Sequence, residues 1–347
     1  MLLLLLAACK PDGPAVASAA EIGVVEQSAD IQGRDGGQSA RLFGRSVWTF
    51  GDTVLNVPDD QGRNWHHNSV SWTDDEDAGD GVTGFTEPLD AAGAPAYLIA
   101  PSEQEAAFND AHYDDGDCEE PCGARYAVWP GSPVWDEQNA RAILFYGLIY
   151  AEPGDMNFEG RGEGIAVWSD LDAAPERGAL IWGPDDGEWG NTAAIVEDHL
   201  YTFSCPQDGW DRSCVLGRAP LDQIQSRDAW TAWTGSTWSA DAGQAEPLFD
   251  GAPIMGLSYN SYLNSWLIVY SEPFSADIVA RTAPALTGPW SKASVLYTVS
   301  GEDPPYDAVQ HAELSEDGGR VEYVTWSRST GQGWFGAEFA LLRVQFD

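Results

Sequence analysis

The segment GRDGGQSARLFGRSVWTFGDT, residues 33–53, carries two aspartates, Asp35 and Asp52, near its two ends. Two carboxyl groups on either side of a sugar can hydrolyse a glycosidic bond. One protonates the leaving oxygen while the other acts as base or nucleophile at the anomeric carbon. The contexts DGG and GDT equally suit Asx-turns, in which the carboxylate bonds only to nearby backbone. Two further acids stand in matched contexts, Glu152 in YAEPGD and Glu272 in YSEPFS. Either is a candidate proton donor, or a loop carboxylate facing water.

A repeat is what must bring such residues together. An aromatic or β-branched run recurs five times: RSVWTF (45–50), AILFYGLIY (142–150), HLYTFS (199–204), SWLIVYS (265–271) and RVEYVTWS (320–327). Each is preceded by a short strand and a turn rich in Gly, Asn or Asp, and followed by a third strand. Four units continue into a fourth strand, AYLIA (96–100), GALIWG (178–183), EPLFD (246–250) and SVLYTV (294–299). The fifth stops after three, and the isolated segment Glu21 to Ser28 is expected to supply its outer strand. The pattern predicts an all-β fold, a single five-bladed β-propeller over 21–347 whose N-terminal strand completes the last blade and removes an open sheet edge.

Adjacent strands in a blade are antiparallel, so the loops before strand one and after strand two share a face. That rule sends Asp35 and Asp52 to one mouth of the central channel, together with Trp129, Glu152, Trp189, Asn191, Glu272, Tyr306, Asp307 and Arg328, and with His311 slightly deeper. Aromatic and polar groups of this kind can hold a sugar. His311 in VQHAEL is read three ways: a satisfied inner-strand histidine, a cation ligand or a substrate contact.

Composition sets the partner class. The 347 residues include 55 acidic and 17 basic ones, a formal charge of −38, which repels nucleic acid and anionic membrane surfaces. A neutral glycan is the expected partner, and a monomer the expected state. The start MLLLLLAAC joins an apolar run to a small-residue pattern ending in Cys9, like a bacterial lipobox, so residues 1–20 are expected to be a lipoprotein signal and short linker. The protein is then extracytoplasmic, secreted or touching the membrane only through its lipid. The remaining cysteines, Cys118, Cys122, Cys205 and Cys214, form an even set suited to an oxidising compartment. Neighbours in sequence are expected to pair. The acidic stretch Phe108 to Cys122 lacks the spacing of a calcium loop and reads as a disulfide-pinned lid.

Together, GRDGGQS…FGDT, WGNTAAIVEDHLYTF, VARTAPALTGPWS and HAELSEDGGRVEYVTWSR resemble a bacterial domain-of-unknown-function family of secreted five-bladed propellers that includes endo-D-arabinanases. The TGPW element is also similar to glycoside hydrolase family 43 propellers. The resemblance implies a catalytic carboxylate pair at Asp35 and Asp52. The family 43 pattern also expects a glutamate on the third blade, where this chain offers only Glu188 and Glu197, neither well placed. His311 is similar in position to a histidine near a channel calcium in family 43, which leaves room for a structural cation, although no cofactor is required for hydrolysis. The expected activity is hydrolysis of a neutral, arabinan-like furanose polymer. Asp35 is expected to stay ionised as base or nucleophile. Asp52, or one of Glu152 and Glu272, is expected to be the acid, its pKa raised by packing around Trp48, Trp129 and Trp189. The competing expectation is a carbohydrate-binding or adhesion propeller without catalysis.

Overall fold

The structure is a computed structural model and describes residues 10–154, 157–207, 209, 212–301, 304–333 and 335–347. Cys9, and with it the expected lipidation, lies outside the described residues. Strand β1 (Val16–Val24) comes first. Blade one follows with β2 (Ile31–Leu42), β3 (Arg45–Leu55), β4 (Trp65–His66) and β5 (Ser69–Thr73), and then helix α1 (Glu103–Ala111). Blade two is β6 (Arg125–Asp136), β7 (Arg141–Ala151), β8 (Phe158–Trp168) and β9 (Glu176–Trp182). Blade three is β10 (Trp189–Val196), β11 (His199–Ser204) and β12 (Ser213–Pro220), edged by the short β13 (Thr231–Trp233), β14 (Trp238–Ser239) and β15 (Phe249–Asp250). Blade four is β16 (Gly256–Asn260), β17 (Ser265–Ser271), β18 (Asp277–Ala283) and β19 (Ser294–Thr298). Blade five is β20 (Tyr306–Gln310), β21 (Val321–Ser329) and β22 (Ala337–Phe346), with β1 antiparallel to β22 as its outer strand.

The five sheets form the expected propeller, and its core follows from the two-residue period of a strand. On β7, Ile143 and Phe145 face blade three and, with Ile165 of β8, pack with Trp189 and Leu200 there. The alternate residues Ala142, Leu144 and Tyr146 face blade one and meet Leu42, Val47 and Val70. The seam between blades five and one is filled by Tyr323, Phe339 and Leu341 against Trp48 and Phe50. Trp48, Trp182, Trp290 and Trp326 are fully buried, so much of the aromatic content is packing between blades.

Two elements differ from the sequence reading. The closing strand starts at Val16 rather than Glu21, and contacts begin at Pro11, whose carbonyl accepts from Lys292 N–H at 2.9 Å. AYLIA is not a strand. The backbone of Ile99 bonds through both its N–H and its C=O to the Asn68 amide, at 2.9 and 3.0 Å, so one side chain replaces the sheet ladder. Helix α1 was not foreseen, although Ser102 and Glu105 form a capping box that the sequence SEQE announces. Both local disulfides, Cys118–Cys122 and Cys205–Cys214, are formed.

Burial raises the pKa of several acids in the ring. Glu322 is 2% exposed, accepts from Asn260 at 2.7 Å and Gln310 at 3.0 Å, and is pushed up to about 8 by burial. In the unfolded chain a glutamate titrates near 4.3. Its stabilising contribution is therefore complete below about pH 4 and is lost as pH rises through about 8. The melting temperature should fall between pH 5 and pH 9, and Glu322→Gln should make that slope shallower when thermal unfolding is followed across the range.

Candidate active site

The site starts from an irregular hairpin. Arg34 pairs with Thr53 and Gly36 with Phe50, so Asp35 on β2 is opposed by both Gly51 and Asp52 on β3, a β-bulge. Both aspartates therefore lie inside the strands rather than in the flanking loops. Gly51 is required: a Cβ there would lie 2.4 Å from Asp35 Oδ1. Gly37 has φ +82°, and a Cβ on it would strike the Phe339 ring at 2.7 Å, so the DGG run is dictated by both backbone and space. Arg34, next to Asp35, is 1% exposed and anchors the bulge. It bonds Glu87 at 3.1 Å and Ser71 at 2.9 Å, and its guanidinium lies 3.4 Å over the Phe50 ring.

Asp52 Oδ1 accepts indole N–H bonds from Trp65 of blade one at 3.2 Å and from Trp129 of blade two at 3.3 Å. His67 Nδ1 stands 3.8 Å from the same oxygen. From blade five, Asp307 reaches into the bulge and accepts from the Gly36 N–H at 3.2 Å. Asp307 is 8% exposed and holds φ +54°, a left-handed conformation that costs a non-glycine residue energy and is often found at functional sites. Its neighbour Tyr306 is 57% exposed, and the Asp307 charge, with those of Asp35 and Asp52, raises its hydroxyl pKa.

Electrostatics distinguishes the acids. Burial, then the charges of Asp52 and Asp307, push the Asp35 carboxyl well above the usual carboxylate range. Burial pushes Asp307 up to about 7. The expectation that Asp35 stays ionised is thus reversed. It depended on an open Gly-flanked loop, whereas Asp35 is in a bulged strand with two acids beside it. A carboxyl whose pKa is raised by burial and by neighbouring acids, adjoining a second carboxyl that accepts two indole N–H bonds, can perform acid–base chemistry on a bound acetal.

The ring brings Asp35, Asp52, Asp307, Tyr306 and Trp129 together. The other expected residues lie elsewhere. Glu152 accepts from Tyr150 Oη at 2.8 Å, and Glu272, raised by burial, has Tyr270 and Arg281 for neighbours. The acids acting on Asp35 are Asp52 and Asp307. Trp189 is 8% exposed and stacks on Trp182 at 5.8 Å in the core, since its ring fills the space over Gly217. Asn191 links blades by donating to Pro253 O at 2.6 Å and accepting from Cys205 N–H at 2.9 Å. Arg328 bridges Glu338 and Glu21 at 2.7 Å each, clasping the closing strand. His311 is fully buried, stacks on Trp48 at 4.0 Å, and is lowered to about 3 by burial. Its two ring nitrogens contact Ser39 Oγ at 2.6 Å and Thr325 Oγ1 at 2.7 Å.

A channel calcium held by His311 does not fit this arrangement, because both nitrogens already have hydroxyl partners. Among the described residues no group of three or more His, Cys, Asp or Glu is placed to hold a metal. A cavity of about 410 Å³ occupies the far part of the channel, lined by Gln38, Trp135, Trp266 and Glu313, and touches none of the three aspartates. Sequence reading missed Trp65, His67 and Arg125 near Asp52. It also missed Glu163, a carboxyl raised to about 8 by burial and then by Glu188 and Asp186. The WHH run at 65–67, one turn beyond FGDT, was the available signal.

Ring and cluster define a class: five-bladed β-propellers with an acidic site at one mouth of the channel. Within it, the family model described as "Domain of unknown function (DUF4185)" matches residues 162–327, which bears out the resemblance and includes Asp307 but not Asp35 or Asp52. A search of curated proteins finds no match. Among solved structures, the chain is similar to a Bacteroides ovatus protein whose hydrolase assignment is itself provisional. That likeness has 15% identity and a TM-score of 0.59, and covers 94% of this chain and 87% of the other. It is also similar to a family 117 glycoside hydrolase from Zobellia galactanivorans, with 11% identity, TM-score 0.55 and coverage of 97% and 92%. These likenesses establish the fold.

The close approach at Gly51 gives a sharp test. Gly51→Ala should displace the Asp35 carboxyl and destabilise the fold by about 1–3 kcal/mol through overpacking. Chemical denaturation would measure the second effect, and loss of any hydrolytic activity in protein that is still folded would show the first.

Proposed function

We propose that the protein is a glycoside hydrolase that cleaves a neutral, furanose-containing polysaccharide of the arabinan kind. The observation that carries this reading is the placement of Asp35 opposite Asp52 across a bulge, with the Asp35 pKa raised by burial of its carboxyl and by the charges of Asp52 and Asp307. Asp35 gives its proton to the glycosidic oxygen as the bond from that oxygen to the anomeric carbon breaks. Asp52 supplies the electron pair on the other side, either directly or by taking a proton from water. Asp307 supports the proton on Asp35 by its like charge, and Trp129 and Tyr306 flank the acids where a sugar would sit. A strongly acidic surface favours an uncharged polymer.

A glycan panel incubated with wild type, Asp35→Asn and Asp52→Asn tests the mechanism. Wild type should release products from an arabinan or related furanoside, and each variant should lose at least roughly 1,000-fold in rate while remaining folded. Sugar binding without cleavage by wild type would instead favour a lectin-like propeller. In the same assay, Asp307→Asn should move the alkaline limb of the kcat/KM profile to lower pH. Removing a like charge lets Asp35 ionise sooner, so the acid form is lost at lower pH.

We further propose an extracytoplasmic protein lipidated at Cys9. The run MLLLLLAAC and the two local disulfides support this. In bacterial cells expressing the chain, radiolabelled palmitate should label the wild type and not Cys9→Ser. Equal labelling of both would refute it.

A further inference from the structure

Beside Asp52 lies a second, smaller cavity of about 130 Å³ whose walls come from blade one, α1 and the start of blade two. Trp65 and His67 line it, and both approach Asp52 Oδ1, so two walls of the cavity also contact that carboxylate. Tyr97 and Tyr113 add aromatic surface, and Asn109, His112 and Arg63 complete the rim. The far wall is fixed: Asn109 exchanges bonds with the Tyr126 backbone at 2.9 and 2.7 Å, and His66 stacks on Tyr97 at 4.1 Å.

Arg125 makes this cavity unusual. Its guanidinium lies flat on Trp65 at 3.8 Å, which sets the plane of its N–H groups. It makes no ion pair among the described residues, in contrast to Arg63 on the same rim, which pairs with Asp110. Its Nε is buried with no hydrogen-bond partner, and His67 Nδ1 is likewise buried with none within bonding distance. A buried Arg125 donor and a buried His67 ring nitrogen without partners are costly unless something fills the cavity, because each forgoes its bond to water.

We infer that this cavity is a sugar subsite that takes one monosaccharide unit of a neutral glycan next to the bond being cleaved, with Arg125 as its specificity residue. This rests on the reading of Asp52 as the carboxylate at the reacting carbon. Sugar hydroxyls, which both donate and accept, are the partners that Arg125 Nε and His67 Nδ1 lack, and the apolar face of a sugar ring matches the aromatic walls. The volume suits a single ring rather than a longer segment. Asp52, within 3.8 Å of His67 at the inner end, and the chain's net charge of −38 oppose an anionic substituent and offset the attraction of the Arg125 guanidinium.

The test separates binding from chemistry. Asp35→Asn protein, in which the fold and the cavity are untouched, is titrated by calorimetry with neutral oligosaccharides from arabinan and with an oligogalacturonide. Arg125→Met is then added to the Asp35→Asn background, and Arg125→Lys serves as a second variant that keeps the charge. Neutral oligosaccharides should bind to Asp35→Asn. Arg125→Met should weaken that binding about ten- to hundredfold, with an unchanged melting temperature and little recovery in Arg125→Lys, since a lysine cannot reproduce the stacked, planar fork. In otherwise wild-type protein, Arg125→Met should raise KM more than it lowers kcat. Unchanged affinity in Arg125→Met, no binding of any neutral oligosaccharide, or tighter binding of the oligogalacturonide would each overturn the subsite. Absence of cleavage by wild type with Arg125-dependent binding would overturn the hydrolase reading alone.

Discussion

Three carboxyl groups held within one another's field repel, and the rest of the site depends on the device that holds them there. At an effective dielectric of about 20, two unit charges 4 Å apart interact by roughly 4 kcal/mol, so isolated loops would separate. Here Asp35 and Asp52 are fixed by a bulged strand pair of the first blade, and Asp307 by the first strand of the last. Those blades are adjacent only because the ring closes. The pairing of β1 with β22 and the Arg328 clasp are thus part of the electrostatics of the site as well as of the fold. Added to burial, the repulsion raises the Asp35 pKa, which is how a structural constraint favours the acid form of a carboxyl.

Much of the architecture was legible because propeller blades announce themselves locally. The middle strands are apolar runs of the right length, their turns carry Gly and Asn, and period-two alternation sorts residues between neighbouring seams. AYLIA misled because it has strand composition yet satisfies its backbone through Asn68, a tertiary solution that no local pattern reveals. The face rule gathered Asp35, Asp52, Asp307 and Trp129 correctly. It failed for Trp189, Asn191 and Arg328 because sharing a face says nothing about whether a side chain points to the channel, to a seam or to an edge. Trp189 turned to the seam, Asn191 to a carbonyl of the next blade, and Arg328 to the closing strand.

The assignment of roles was harder still. Gly-flanked aspartates read as solvated, and on that ground Asp35 was expected to be the ionised partner. Those glycines serve a different end: Gly51 leaves room for the Asp35 oxygen, and Gly36 offers its N–H to Asp307. Absence of side chains lets the acids approach each other, which is the opposite of exposing them to water. A sequence shows which residues are small, but not what takes the space they leave.

On the reading proposed above, a chain of net charge −38 that gathers three acids in one cleft has to supply donors for a polyhydroxylated substrate from very few residues. It draws them from aromatic N–H groups and from an arginine flattened on a tryptophan. Trp65 serves both purposes, giving its indole N–H to Asp52 and its face to Arg125. On that reading, the carboxylate proposed to face the reacting carbon and the donor proposed to meet the neighbouring sugar are referenced to one rigid ring. A shift of either would move the other, so substrate position and the geometry of Asp52 are set by one side chain rather than by two independent ones.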